Sequence, residues 1–252
     1  MMAVSEGTSR VLGHCRNAVE TLAARGPLPP AEVAKSIGVP RPSAYRLASA
    51  LVHAGLAVQY PDGTVGLSTL WLALGDSALA SAAKWFTRDD LLRTLRDETR
   101  LTVFLCIPRS NRTVCVRRLH GKSVQVLILK PGGSLPLNIG GVGRITLAFG
   151  PHSLDEFLRS ADPQPATSFS ITQADDLRAD VALSRSQGYC LSDNDSTVGV
   201  AAIAVPVFGD DGEFLAALSV AGRREEVLDD EAQFSRTLLD TARLIAPRRA
   251  NG

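Results

Sequence analysis

Pro30-Ala31-Glu32-Val33-Ala34-Lys35-Ser36-Ile37-Gly38-Val39-Pro40-Arg41-Pro42-Ser43-Ala44-Tyr45-Arg46-Leu47 decides the reading of this chain. Pro30 suits the first turn of a helix, because its missing N–H had no helical partner there. Val33 and Ile37 lie one turn apart on the inner face of a short helix running to Ile37. Gly38 fits a left-handed C-cap. A second helix follows from about Pro42 to His53, burying Ala44, Leu47, Ala48 and Leu51. Two short helices joined by a glycine-containing turn form a helix-turn-helix pattern.

The flanking sequence sharpens that pattern. Upstream, Arg10 to Arg25 carries Val11, Leu12, Cys15, Val19, Leu22 and Ala23 as an apolar stripe at helical spacing. Downstream, Gly55–Tyr60 reads as a strand, Pro61-Asp62-Gly63 as a tight turn and Thr64–Leu67 as a returning strand. A hairpin placed directly after the second helix of the motif makes a wing. Helix, helix-turn-helix and wing in this order are far more specific than any one of them.

A recognition helix sets its N-terminal residues at base edges while neighbouring side chains hold phosphates. Arg41, Pro42, Ser43, Tyr45 and Arg46 occupy those positions, and Asp62 and Thr64 sit at the wing. Either arginine suits bidentate contact with guanine, and Ser43 and Tyr45 suit phosphate oxygens. The N-terminal segment is not strongly basic: residues 1–83 hold 6 basic and 5 acidic side chains. One copy should therefore bind DNA weakly, and dimerisation is expected.

Ser68 to about Leu79 returns to a helical pattern and reads as a linker. The domain boundaries expected are 1–67 for the winged helix-turn-helix, 68–87 for the linker helix and 88–252 for a second domain. In the latter, a helix from Arg88 to Thr99 precedes a hairpin, Leu101–Ile107 and Thr113–Leu119. A third strand is expected at Val124–Leu129, then a loop through Pro131-Gly132-Gly133 into Leu135-Pro136-Leu137 and a helix from Gly143 to Phe149. Another helix runs from Thr172 to Gln187, with Thr172 and Asp175 resembling a capping box. Two strong strands, Ala201–Phe208 and Phe214–Ala221, and a helix from Asp229 to Ile245 complete it. Antiparallel strands flanked by such helices imply an α+β sensor-like domain.

The 252 residues are 45% hydrophobic and 21% charged with a formal net charge of +1, which supports a buried core and excludes general disorder. No apolar run reaches the ~20 residues that span a bilayer. The start Met1-Met2-Ala3-Val4-Ser5-Glu6-Gly7 lacks a basic region followed by an apolar stretch, so a soluble cytoplasmic protein is expected. At 5%, aromatics are too sparse for a carbohydrate-binding surface. Cys15, Cys106, Cys115 and Cys190 form no C-x-x-C pair, and no histidine stands near one at zinc-finger spacing. Reduced thiols, no metal and no cofactor are expected. Cys106 and Cys115 flank the hairpin and can face each other across it. Charge is uneven: residues 84–130 hold 11 basic and 4 acidic side chains, and residues 131–252 hold 10 and 17.

Enzymatic readings lack support. Gly141-Val142-Gly143 completes neither G-x-G-x-x-G nor a Walker motif. Ser219 has no His and Asp partners in a triad-like order, and His14, His53, His120 and His152 stand apart. A sensor domain that turns over its ligand beside a vestigial DNA-binding module is the alternative, as is a helix-turn-helix used as a protein-interaction platform.

The chain resembles transcriptional regulators of the IclR (isocitrate lyase regulator) family. Leu28, Ala31-Glu32-Val33-Ala34, Gly38-Val39-Pro40-Arg41, Tyr45-Arg46-Leu47, Leu51 and Gly55 are similar to that family's winged helix. Leu135-Pro136-Leu137, Gly143-Arg144, Leu147-Ala148-Phe149, Gly188-Tyr189, Gly199-Val200, Ile203-Ala204, Pro206-Val207 and Ala217-Leu218-Ser219-Val220 match its second half. The resemblance implies a GAF-like effector-binding domain, assembly as homodimers or dimers of dimers, a double-stranded DNA operator, and a small organic acid from a catabolic pathway as effector. It further implies an effector pocket drawn from Gln125 and Leu127, Asn138, the backbone amides of Gly141 and Val142, Ser192, Val200, Ala202, Ser219 and Ala221. Ser192 stands where many relatives have an acidic residue, Ala202 where they have cysteine, Ala221 where they have serine and Asn138 where they have histidine. The family's basic residue is kept as Arg144. Fewer polar hooks should favour a larger or aromatic acid over one the size of glyoxylate.

Overall fold

The computed structural model describes residues 6–81, 88–122 and 129–245. The chain divides into two compact units, Met1–Ser81 and Ala82–Gly252.

The first unit runs α1 (Glu6–Arg25), α2 (Pro30–Ile37), α3 (Arg41–His53), β1 (Ala57–Gln59), β2 (Val65–Leu67) and α4 (Leu70–Ser81). Proline at the first turns of α2 and α3 starts both helices. Gly38 ends α2 at φ 69°, a left-handed conformation that carries no Cβ penalty in glycine. The turn lets α2 and α3 share a core of Val33, Ala48 and Leu51 with Ala18 and Leu22 of α1 and Ala57 and Val65 of the hairpin. β1 and β2 pair antiparallel, and Leu28 bridges to Val65 as a third short edge. Within this unit α4 is tied to the wing's base, where Trp71 Nε1 donates to the Leu56 carbonyl at 2.7 Å.

One expectation fails here. Val11 and Leu12 are exposed, at 58% and 61%, although they lie on the predicted stripe of α1. Only the later turns of α1, through Ala18, Val19 and Leu22, meet the rest of this unit's core.

The second unit runs α5 (Asp89–Thr99), β3 (Thr102–Arg109), β4 (Arg112–Leu119), β5 (Ser134–Pro136), α6 (Gly140–Phe149), α7 (Leu154–Ser160), α8 (Ala174–Gln187), β6 (Cys190–Asp193), β7 (Val200–Phe208), β8 (Phe214–Arg223), α9 (Arg224–Asp229) and α10 (Glu231–Ile245). The strands form one antiparallel sheet in the order β5-β4-β3-β8-β7-β6. Strand alternation sorts its two faces. Val103, Leu105, Ile203, Val205, Leu218 and Val220 pack with Leu92 and Leu95 of α5 and Phe234 and Leu238 of α10. Phe104, Cys106, Ala202, Ala204, Ala217 and Ala221 face the other way, toward Val142 and Ile145 of α6. Both faces are covered, which explains why β7 reads as a nearly unbroken apolar run.

Several boundaries differ from expectation. α6 starts at Gly140, three residues early, so Gly140-Gly141-Val142 form its first turn. α8 starts at Ala174 after Gln173, with no side-chain cap, so Thr172 and Asp175 form no capping box. A true box opens α7 instead: Ser153 accepts from the Glu156 amide and Glu156 from the Ser153 amide. The final helix, α10, starts at Glu231, and a short helix that was not expected, α9, precedes it. The strand expected at Val124–Leu129 lies largely outside the described residues.

Cys106 and Cys115 are direct cross-strand partners, free and fully buried. Burial, followed by the hydrogen bond to Cys115, pushes the Cys106 thiol well up. Burial also lifts Cys190 from 9.0 to about 12, aided by Asp180 and Asp195 against the opposing pull of Arg144. Only Cys15 is partly exposed. A thiol reagent at pH 8 should therefore label Cys15 alone in the native protein and all four cysteines in denaturant. The same shift has a sign for stability. Above pH 9 the unfolded chain loses the Cys190 proton while the fold retains it to about 12, so stability should fall through that window. Thermal scans between pH 8 and 10 check it.

Candidate functional site

The N-terminal turns of α3 present Arg41, Pro42, Tyr45 and Arg46 to solvent, with Tyr45 54% exposed, while Ser43 is half-buried. Ala44, Ala48 and Leu51 anchor the opposite face. The polar set is thus displayed on one side of a helix rigidly held by its own core. At the wing, the Asp62 carboxylate accepts from the Thr64 amide at 2.9 Å and the Thr64 hydroxyl at 2.7 Å. The hydroxyl bond, followed by the amide bond, lowers the Asp62 pKa, so the turn keeps its staple well into acid. Asp62 and Thr64 shape the wing tip with their side chains engaged on each other.

In the second unit a cavity of about 260 Å³ lies between the first turn of α6 and the sheet. Its origin is visible in β7 and β8. Ala202 pairs with Ala221 and Ala204 with Ser219, so small side chains stand on the face where the opposite side carries Ile203, Leu218 and Val220. Phe104, Leu129, Leu135, Pro136 and Ile139 supply apolar walls, and Gln164, Pro165 and Ala166 close one side. Gly143 lets α6 begin this close to β5, since a Cβ there would meet the Pro136 carbonyl oxygen at 2.5 Å.

Of the expected effector-binding residues, Gly141, Val142, Val200, Ala202, Ser219 and Ala221 line this one cavity. Gln125 and Leu127 lie outside the described residues. Asn138 and Ser192 are buried but are not among the lining residues. Asn138 Nδ2 donates to the carbonyls of Gln164 and Ile171 at 3.2 and 3.1 Å, clasping the loop that closes the cavity; its Oδ1 is buried without a partner. Ser192 Oγ donates to Asp195.

Asp195 belongs to a buried charge group that sequence reasoning missed. Arg144 binds Asp180 through Nε at 2.9 Å and through Nη2, and Asp195 through Nη1 at 3.3 Å. The three side chains are at most 10% exposed. Burial opposes the Arg144 charge, but the Asp180 and Asp195 carboxylates outweigh it and hold the guanidinium protonated. Asp195 also accepts the Gly140 amide at 3.1 Å, which occupies the first free N–H of α6. The basic residue expected to serve the pocket is therefore matched internally. The remaining first-turn amides, Gly141 and Val142, have no side-chain cap from Ile139. Ser196 and Thr197, also unforeseen, add polar groups to the lining, Ser196 beside Gly140. Among the described residues no three His, Cys, Asp or Glu side chains are grouped to hold a metal ion.

A winged helix joined to an α+β unit with a mostly apolar cavity defines a DNA-binding protein with a small-molecule chamber. Family models agree over both parts: the IclR helix-turn-helix domain matches residues 19–61, and the bacterial transcriptional regulator IclR C-terminal domain matches residues 79–246. The chain belongs to the IclR family of bacterial transcriptional regulators. It is 30% identical over 196 residues to the Pca regulon regulatory protein of Pseudomonas putida, a match covering 76% of this chain and 66% of that one. It is 23% identical over 203 residues to the transcriptional repressor IclR of Escherichia coli K12, covering 79% and 74%. A crystal structure of an IclR homologue from Microbacterium hydrocarbonoxydans in complex with 4-hydroxybenzoate superposes with a TM-score of 0.73 at 21% identity, covering 93% of this chain and 97% of that one. Among the described residues no helix is long and apolar enough to cross a membrane.

Proposed function

We propose that this regulator represses a catabolic operon and that a single-ring aromatic acid in the α6 cavity switches its hold on DNA. The observation that carries the reading is the cavity itself: an apolar chamber with the unpaired first-turn amides of Gly141 and Val142 at one end. The apolar walls suit a ring, and the helix N-terminus suits a carboxylate. The 4-hydroxybenzoate held by the Microbacterium relative belongs to this class of compound.

Arg41 and Arg46 read bases, Pro42 fixes the start of the helix, and Ser43, Tyr45 and the wing at Asp62 and Thr64 fix the register on phosphates. A cytoplasmic homodimer, alone or paired as a dimer of dimers, sets two recognition helices about 34 Å apart on a palindrome. The exposed Leu70, Leu72 and Leu74 of α4 support assembly, and α4 is the linker through which the switch acts. An effector that binds one assembly geometry about 100-fold better contributes roughly 2.7 kcal/mol, enough to move a poised equilibrium.

Filling the chamber tests the reading. Ala202→Leu or Ala221→Leu should weaken binding of benzoate-class acids at least roughly tenfold, because even one methylene of mismatch costs that much in an apolar pocket. Operator affinity without effector should stay unchanged. Titration calorimetry and fluorescence anisotropy read the two effects; unaltered acid binding in both variants would place the effector elsewhere.

A further inference from the structure

We infer that Arg117 and Arg118, neighbours on β4, relay occupancy of the cavity through the sheet. Arg118 holds the cavity wall on one face, and Arg117 holds the start of α5 on the other. The inference rests on the cavity being the effector site and names the route by which that site acts. The chain crosses from one unit to the next between Ser81 and Ala82, and α5, from Asp89, is the first helix described beyond that crossing. A signal carried along the chain toward the first unit therefore leaves the second through the start of α5.

A β-bulge aims the two arginines. Phe104 pairs with Arg118 and Leu105 with Arg117, after which the register skips Val116 and joins Cys106 to Cys115. Cross-strand partners share a face, so Arg118 stands with Phe104 on the cavity side and Arg117 with Leu105 on the α5 side. Val116 also packs on the α5 side, the re-aiming that a bulge produces. Arg118 Nη1 donates at 2.9 Å to the carbonyl of Leu129, an apolar wall residue of the cavity, and Nη2 lies 3.1 Å from His120 Nε2. Arg117 Nε donates to Asp89 Oδ1 at 2.7 Å, and Asp89 Oδ2 takes Arg93 Nε at 2.9 Å. The hydrogen bond from Arg117 is the chief cause that holds the Asp89 carboxyl below the usual range, so the link stays charged at neutral pH. Charge-assisted bonds of this kind are short and directional. A ligand that shifts Leu129 moves β4 through Arg118, and β4 moves the first turn of α5 through Arg117.

Full-length variants separate this link from binding itself. Titration calorimetry reads 4-hydroxybenzoate binding, and fluorescence anisotropy reads affinity for the DNA flanking this gene with and without that acid. In Arg117→Met and Asp89→Asn, each checked for folding by circular dichroism, acid affinity should stay within about twofold. The roughly tenfold effect of acid on operator affinity should fall below about twofold in both. Linkage is reciprocal, so operator DNA should change acid affinity in the unmodified protein and not in these variants. Combining the two substitutions should add no further loss, because both break one link. Asp89→Glu keeps a carboxylate for Arg117, and Arg93→Ala removes only an exposed partner, so both should keep the effect. A full acid effect in folded Arg117→Met and Asp89→Asn overturns the relay, as does an equal loss in Arg93→Ala or a matching loss of acid affinity. An unmodified protein that binds the acid with no change on DNA overturns the switch and the relay together. One that binds no aromatic acid overturns the cavity as effector site, and the relay with it.

Discussion

Replacing Arg144 with methionine should cost the Ala82–Gly252 unit about 3–5 kcal/mol, the range for stranding a buried charge partner. The side chain is 7% exposed, and its removal leaves the Asp180 and Asp195 carboxylates facing one another without a cation. Neither can recover its hydration without opening α6 and α8. For a unit of this size each kcal/mol shifts the melting point by roughly 2–4 °C, so a drop of about 10 °C is expected by calorimetry. Arg178 supplies the contrast. It binds Asp155 and Asp175, but at 52% exposure its replacement by alanine should cost less than about 1 kcal/mol. Effector affinity should fall along with stability in Arg144→Met, because Asp195, freed of Arg144, no longer fixes the Gly140 amide and the first turn of α6.

Arg41→Ala and Arg46→Ala should each weaken specific operator binding by about 1–3 kcal/mol, roughly 5- to 150-fold, if the side chain grips a base edge. Both residues are exposed and outside the core of their unit, so circular dichroism and melting point should not move. The form of the loss identifies what each arginine touches. Removing a grip on a base relaxes preference at one operator position, whereas removing a grip on a phosphate lowers affinity for all sequences and reduces the salt slope by about one. Acid binding in the second unit should be preserved in both variants. Unchanged DNA affinity in the pair of variants would move the recognition surface off α3.

Much of the fold is legible in local sequence. Pro30, Gly38 and the Pro61-Asp62-Gly63 turn place α2, α3 and the wing because each acts within a few residues of itself. β7 and β8 are equally legible from their long apolar runs. The misses have a common cause in tertiary context. Val11 and Leu12 carry helical periodicity but stay exposed, outside the core of their unit. Thr172 and Asp175 have the spacing of a capping box, yet the chain enters α8 two residues later. The Ser153–Glu156 box is present in the sequence as S-x-x-E, a local signal sufficient to find it. Six pocket residues follow from family resemblance, and the wall of small side chains that creates the chamber is written in Ala202, Ala204, Ser219 and Ala221. The engagement of Arg144 with Asp180 and Asp195, 36 and 51 residues away in the chain, has no local signal at all.

We propose that a ring-bearing acid controls DNA binding through the second unit. Fluorescence anisotropy with the DNA flanking this gene, at two salt concentrations and with and without 4-hydroxybenzoate or benzoate, tests it most directly. The expected result is sequence-specific binding that survives competitor DNA and an operator affinity that shifts at least about tenfold with acid. In Ala202→Leu no such shift is expected. Binding that is equally strong on any DNA and vanishes with salt, or specific binding indifferent to every aromatic acid, would contradict it.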